Sequence, residues 1–140
     1  MHQKIETFTY KTSGSGLFEI TDTISAFILN SEIQKGLLTV YCAHTSASLL
    51  IQENADPDVQ KDLLSFFRRL IPEGDPLFVH QTEGPDDMPA HVRSALTPTS
   101  LSIPIMDGKM TLGTWQGIYL FEHRALPHTR TIHLHIWGQK

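Results

Sequence analysis

The chain has 140 residues, 40% hydrophobic and 19% charged, enough for one core, too small for two and too apolar for disorder. Its formal net charge of -4, with acids and bases interspersed, leaves no basic stripe to neutralise a row of phosphates, which excludes nucleic acid but not a small phosphorylated ligand. The opening MHQKIETF lacks a signal-peptide pattern and no later stretch approaches a bilayer span, so a cytoplasmic protein with no membrane partner is expected.

Residues 3–12 read as a strand, with SGSG as a hairpin loop into a second short strand, LFEI. Asp22 or Thr21 is expected to cap a helix carrying Ile24, Phe27, Ile28 and Ile33, which ends near Lys35 and Gly36. Residues 37–52, rich in β-branched and small apolar side chains, predict one or two strands of central sheet bent near Ser46. Cys42 lies in this run and is expected to be a buried hydrophobe, not a reactive thiol.

Asp56 as N-cap and Pro57 at the first helical position begin the best-signalled helix, with Val59, Leu63, Phe66, Phe67 and Leu70 on one stripe. A short strand, LFVH, is expected after it. A third, short helix follows at AHVRSAL, with Pro89 in its first turn and Val92, Ala95 and Leu96 facing inward. SLSIPIM predicts a strand that Pro104 keeps at or near a sheet edge, and Asp107-Gly108 turns it into a long strand, KMTLGTWQGIYLFEH. The final RTIHLHIW alternates, with Ile132, Leu134 and Ile136 on one face. The expected fold is α+β, a single domain over residues 1–140 with a largely antiparallel β-sheet sandwich and about three packed helices.

Eight histidines are the outlier of the composition. His133 and His135 oppose an apolar face and look toward solvent or a neighbouring subunit, and His2, His123 and His128 read as solvated surface. His44 ends an apolar strand and is followed by Thr45 and Ser46, His80 closes the LFVH strand, and His91 begins a helix just after Asp86 and Asp87. Imidazoles at strand ends and helix starts can converge on one divalent ion, although their spacing is no local metal motif, or form a hydrogen-bonded histidine cluster without one. Glu53, Asn54, Asp56 and Asp58 crowd a strand-to-helix junction; capping accounts for Asp56 and Asp58 but not for Glu53. In GTWQG, from Gly113 to Gly117, the glycines either form a bulge that aims Trp115 into the core or let a ligand approach while Gln116 bonds it and Trp115 stacks on it.

Together, HTSASLLIQENADPDV, EGPDDMPAHVRSAL, SLSIPI and GTWQGIYLFEHR resemble in order and spacing the signature blocks of the YjbQ-like family, also called secondary thiamine-phosphate synthase. The resemblance runs from about Ile20 to the C-terminus. It implies an α+β homotrimer with polar residues gathered in clefts near subunit contacts. It also implies the joining of a pyrimidine methyl pyrophosphate to a thiazole phosphate with release of pyrophosphate. The shared positions carried over are His44, Thr45, Glu53, Asn54, Asp56, His80, Glu83, Asp87, His91, Gly113, Thr114, Trp115 and Gln116. Asp86 and Asp87 stand where many relatives have a glycine-asparagine pair, a change that strengthens cation binding or alters the substrate.

The resulting expectation is an enzyme in which His44, His80 and His91 hold a divalent metal, Zn or Mg. His44, Glu53, Asn54, Asp87 and Gln116 then form the catalytic set, and Thr45, Gly113, Thr114 and Trp115 bind a small phosphorylated metabolite. Two alternatives accompany it: a metal-dependent hydrolase with Glu53 as base, and a protein that binds a metal or metabolite without chemistry.

Overall fold

Along residues 1–140 of the computed structural model the elements run β1 (His2–Lys11), β2 (Gly16–Glu19), α1 (Thr21–Ser31), β3 (Lys35–Cys42), β4 (Ala47–Glu53), α2 (Pro57–Leu70), α3 (Asp87–Leu96), β5 (Ser100–Met106), β6 (Lys109–Met110), β7 (Gln116–Glu122) and β8 (Thr129–Gln139). Two antiparallel sheets result, a five-stranded one in the order β1-β8-β3-β5-β6 and a three-stranded one in the order β2-β7-β4. Alternation supplies the core. Leu38, Val40, Ile103, Ile105, Ile132, Leu134 and Ile136 of the larger sheet meet Ala47, Leu49, Ile118 and Leu120 of the smaller one, with Ile24, Phe27 and Ile28 of α1. This is the expected α+β architecture in one domain, and Cys42 is buried in its core.

β7 is buried on both faces. Its Ile118 and Leu120 join the core, while Phe121 meets Phe67 of α2 edge-on at 5.3 Å and the Tyr119 hydroxyl accepts from Gln60 Nε2. Asp56 caps α2 through the Asp58 N–H, with Pro57 in the first turn, as the residue types require. The Asp107-Gly108 turn has positive φ at both residues, the geometry of a tight hairpin. The two-residue β6 is the edge beyond β5, so Pro104 lies one strand from the rim.

Several expectations are corrected. SGSG does not close a hairpin, because β1 pairs with β8 and β2 with β7, and the chain crosses between sheets there. Gly14 has φ 135° and an added Cβ would stand 2.9 Å from the Ala125 carbonyl oxygen, so this crossing needs glycine. α1 has no side-chain cap: the Thr21 hydroxyl is spent on Glu19 Oε2 and on the Ile118 N–H. It ends at Ser31, where Glu32 turns left-handed, and Lys35 and Gly36 already belong to β3. The LFVH strand is absent; Asp75 folds that segment into a turn by accepting the Leu77 N–H on its side chain and the Phe78 N–H on its carbonyl. KMTLGTWQGIYLFEH is two strands in different sheets, β6 and β7.

The helix faces also differ from the sequence pattern. On α2, Phe66 and Leu70 are exposed, because only a three-stranded sheet lies beneath the helix. α3 begins at Asp87 and turns Asp87, Pro89, Ala90 and Ser94 inward, leaving Ala95 and Leu96 outside. Its phase is tied by the Ser94 hydroxyl, which donates to the Ala47 carbonyl at 3.0 Å.

Candidate functional site

α3 sets the geometry of the site. Asp87 and His91, four residues apart, share one helical face, and the irregular segment before the helix carries His80 back onto the same carboxylate. His80 Nε2 stands 2.8 Å and His91 Nε2 3.1 Å from the same Asp87 oxygen, Oδ2. Ligand atoms of all three groups lie within 4.8 Å of one another. Asp87 is 1% exposed, so a carboxylate has been taken out of water, which is sustained only by partners.

Those partners surround it. The Asp87 Oδ1 oxygen receives Arg124 Nη1 at 2.9 Å, and Arg124 Nε donates to Asp86 Oδ2, which also accepts the Ala125 N–H. Burial pushes the Asp87 carboxyl upward, but the His80 hydrogen bond and the His91 and Arg124 charges outweigh it and hold the group below the usual carboxylate range. Asp86 is lowered in the same contest, by the Ala125 N–H and Arg124 against burial. His91 Nδ1 faces the Thr45 carbonyl at 3.0 Å, so it donates there and its ring presents Nε2 to the Asp87 side. Beside the trio opens a cleft of about 380 Å³ walled by Asp75, Phe78, His80, Pro85, Met88 and Pro89. Two imidazoles and a carboxylate can hold a divalent ion there.

His44 does not join the trio. Its Nε2 accepts the Thr131 N–H at 2.7 Å and its Nδ1 faces Arg130; burial and the Arg130 charge push its pKa down. The carboxylate Asp87 occupies the position expected of His44. Arg130 is itself buried, pairing with Glu122 and donating to the Ser46 carbonyl and hydroxyl. Thr45 contributes its backbone carbonyl to His91. Glu83 contributes its backbone carbonyl, which accepts from Arg124 Nη2.

The remaining expected residues lie at the other end of β4. That strand of seven residues separates the groups by roughly 20 Å, so within one chain Glu53, Asn54 and Gln116 do not meet His80, Asp87 and His91. Glu53 Oε2 accepts the Asp56 N–H, a use the capping argument left unfilled. Asn54 donates to Glu19 Oε2, and Gly117 gives this contact room: a Cβ there would stand 2.6 Å from that same oxygen. Gln116 folds back so that its Oε1 accepts the Gly113 N–H, while Thr114 and Trp115 complete a turn outside the sheet. Trp115 is 63% exposed, which overturns the bulge that would aim it into the core.

His123 was expected at the surface and is instead 2% exposed, its Nε2 2.9 Å from the Ser48 hydroxyl. Burial, reinforced by Arg93 and Arg130, drives its pKa down to about 3. The signal available in sequence was its direct continuation of YLFE, a strand buried on both faces. His133 and His135 do lie on the outer face of the larger sheet, bonded to Thr7 and Gln3.

The family model described as UPF0047 protein YjbQ-like matches residues 6–139. A UPF0047 protein of Synechocystis sp. is 51% identical over 138 residues, covering 99% of this chain and 92% of its own length. The UPF0047 protein YjbQ of Salmonella typhimurium is 39% identical over 140 residues, 99% of each. Among solved structures, an uncharacterized conserved protein of the YjbQ/UPF0047 family from Clostridium acetobutylicum superposes with a TM-score of 0.85 at 36% identity, over 94% of this chain and 99% of that one. A hypothetical protein from Aeropyrum pernix gives 0.88 at 28% identity, over 97% and 99%.

Proposed function

The chain belongs to the UPF0047 YjbQ-like family, and from that premise we propose an enzyme of small phosphorylated metabolites that works with a divalent ion held by His80, Asp87 and His91. The observation that carries this reading is the meeting of two imidazole Nε2 atoms on one buried carboxylate oxygen, at 2.8 and 3.1 Å. The surroundings fit the group: the Thr45 carbonyl holds the His91 Nδ1 hydrogen, so the Nε2 hydrogen that faces Asp87 is the one a metal would displace, and Arg124 holds the far oxygen of Asp87. Two imidazoles favour Zn over Mg, which prefers oxygen ligands. When bound, such an ion supplies a Lewis acid for phosphate oxygens or a departing pyrophosphate.

The finer reading is the reaction joining a pyrimidine methyl pyrophosphate to a thiazole phosphate. Its nucleophile is a ring nitrogen that needs positioning and no deprotonation. The hydrolytic alternative asks Glu53 to be a base, yet Glu53 lies at the far end of β4 with Oε2 engaged by the Asp56 N–H. A homotrimer belongs to the proposal. Leu77 and Val79 near the cleft, Trp115 at the other end, and Ile5, Tyr41 and Trp137 on the open sheet are exposed, and apolar surface of this kind suits subunit contacts. Neighbouring copies would then bring one protomer's Glu53 end toward the next protomer's cleft. A cytoplasmic location, in keeping with the reduced and buried Cys42, completes the reading; no helix is long and apolar enough to cross a membrane.

The test is metal analysis of protein purified without a His tag, paired with assay of thiamine phosphate formation from the two precursors. About one zinc per chain is expected, lost in Asp87→Asn and His91→Ala, with turnover lost to chelator. Full occupancy in both variants would sink the ligand set. Ligand-dependent melting shifts with no turnover would reduce the protein to a binding module.

A further inference from the structure

A second cleft, of about 260 Å³, opens where α2 and α3 meet the end of β7, and Ser15, Arg68, Glu73, Asp86, Arg93 and His123 are among its walls. Two buried side-chain atoms of the chain lack a protein partner, Arg93 Nε and His123 Nδ1, and both residues line this cleft. Neither Arg68 nor Arg93 is paired with a carboxylate. The Arg93 guanidinium makes one hydrogen bond within the protein, from Nη2 to the Ile71 carbonyl at 2.7 Å.

The proton order around His123 follows from its neighbours. Thr97 donates its hydroxyl hydrogen to the Arg93 carbonyl at 2.7 Å, so the 2.6 Å contact between Ser48 and Thr97 carries the Ser48 hydrogen. Ser48 Oγ, its own hydrogen spent, accepts from His123 Nε2 at 2.9 Å. In a neutral ring the hydrogen therefore sits on Nε2 and Nδ1 is a bare acceptor. Burial keeps the ring neutral, with the pKa down to about 3.

A bare acceptor and a bare donor share this cleft, where the Arg68 and Arg93 guanidiniums stand with the Glu73 and Asp86 carboxylates; the pair is complementary to a group that accepts and donates through adjacent oxygens. We infer that this cleft binds an oxyanion that retains a hydroxyl hydrogen, namely hydrogen phosphate or the protonated end of a phosphomonoester, with Arg68 and Arg93 on its charge and His123 Nδ1 accepting its O–H. Sulfate has the same shape but carries no hydrogen at neutral pH. It would set a lone pair against Nδ1 and leave that acceptor unsatisfied in a buried place. The inference uses none of the proposed cation ligands and stands without them.

Calorimetric titration of the full chain with inorganic phosphate, methyl phosphate and sulfate tests it, at matched ionic strength and with excess chelator so that no bound cation reports. Saturable binding of phosphate at least roughly tenfold tighter than sulfate is expected, from the cost of one unsatisfied buried acceptor. Arg93→Gln and Arg68→Gln should each weaken phosphate, and His123→Phe should erase the preference over sulfate. Should His123→Phe not fold, the wild-type ratio carries that part, and Arg68→Gln, at an exposed position, carries the rest. Methyl phosphate binding at mildly acidic pH assigns the site to a phosphomonoester, and binding of inorganic phosphate alone assigns it to the free ion. Absence of saturable binding, equal affinity for sulfate in the wild type, or unchanged phosphate affinity in both arginine variants overturns the inference.

Discussion

At its Ala47 end β4 meets a carboxylate, Asp87, that is 1% exposed and held between two imidazoles and an arginine. At its Glu53 end Asn54 and Asp56 face solvent and Glu53 is half-buried. The groups at the second end are occupied locally: Asp56 caps α2, Glu53 accepts the Asp56 N–H and Asn54 bonds Glu19. Helix and loop geometry account for each of them. At the first end a carboxylate stands in buried space with two imidazoles and a guanidinium around it, where desolvation makes every ionised group costly without partners. Polar density alone therefore did not separate the two ends, and burial did.

Asp87→Asn should break the contrast most sharply. Removing one member of a buried charged cluster costs on the order of 3–5 kcal/mol, and the two imidazoles and Arg124 lose their common anion. Urea denaturation should show the loss of stability, and metal analysis the loss of the ion. A wild-type midpoint would mean that Asp87 does no more than the carboxylates at the other end.

The next effect is in pH. His123 has a folded pKa of about 3 against an ordinary 6.5, so on acidification the unfolded chain takes up the proton first. Its contribution to stability is complete above about pH 6.5 and falls as pH drops toward 3, by up to about 1.4 kcal/mol per pH unit. His44, pushed down by burial and by Arg130, adds to the slope with the same sign. Denaturation midpoints between roughly pH 6.5 and 5, above the usual carboxylate range, should show the decline, and His123→Gln should make it shallower.

At the Glu53 end the expected effects are smaller. Asp56→Ala should cost about 1 kcal/mol through loss of the α2 cap, with metal content unchanged. Gln116→Ala should change stability by less than about 0.5 kcal/mol and leave metal content alone, while lowering turnover only if neighbouring subunits unite the two ends. Sedimentation of both variants alongside the assay separates that outcome from simple loss of assembly.

The sequence by itself determined the α+β class, the alternating faces of β5 and β8, the Asp56-Pro57 start of α2, the Asp107-Gly108 hairpin and the burial of Cys42. Each is set by local backbone chemistry or by a period of two residues along the chain. The pairing of Asp87 with His91 was within reach of the same reasoning, since their spacing of four needs only a helix that starts at Asp87. Only the tertiary structure decided that β1 and β2 part into different sheets, that His80 returns to Asp87 from an irregular segment, and that His44 turns instead to the Thr131 N–H. It also decided that His123 is buried while Trp115 stands in solvent. The physical reason is common to all of these: which partner a ring nitrogen finds, and whether water reaches it, depends on residues dozens of positions away that hydrophobic collapse of the two sheets brings together.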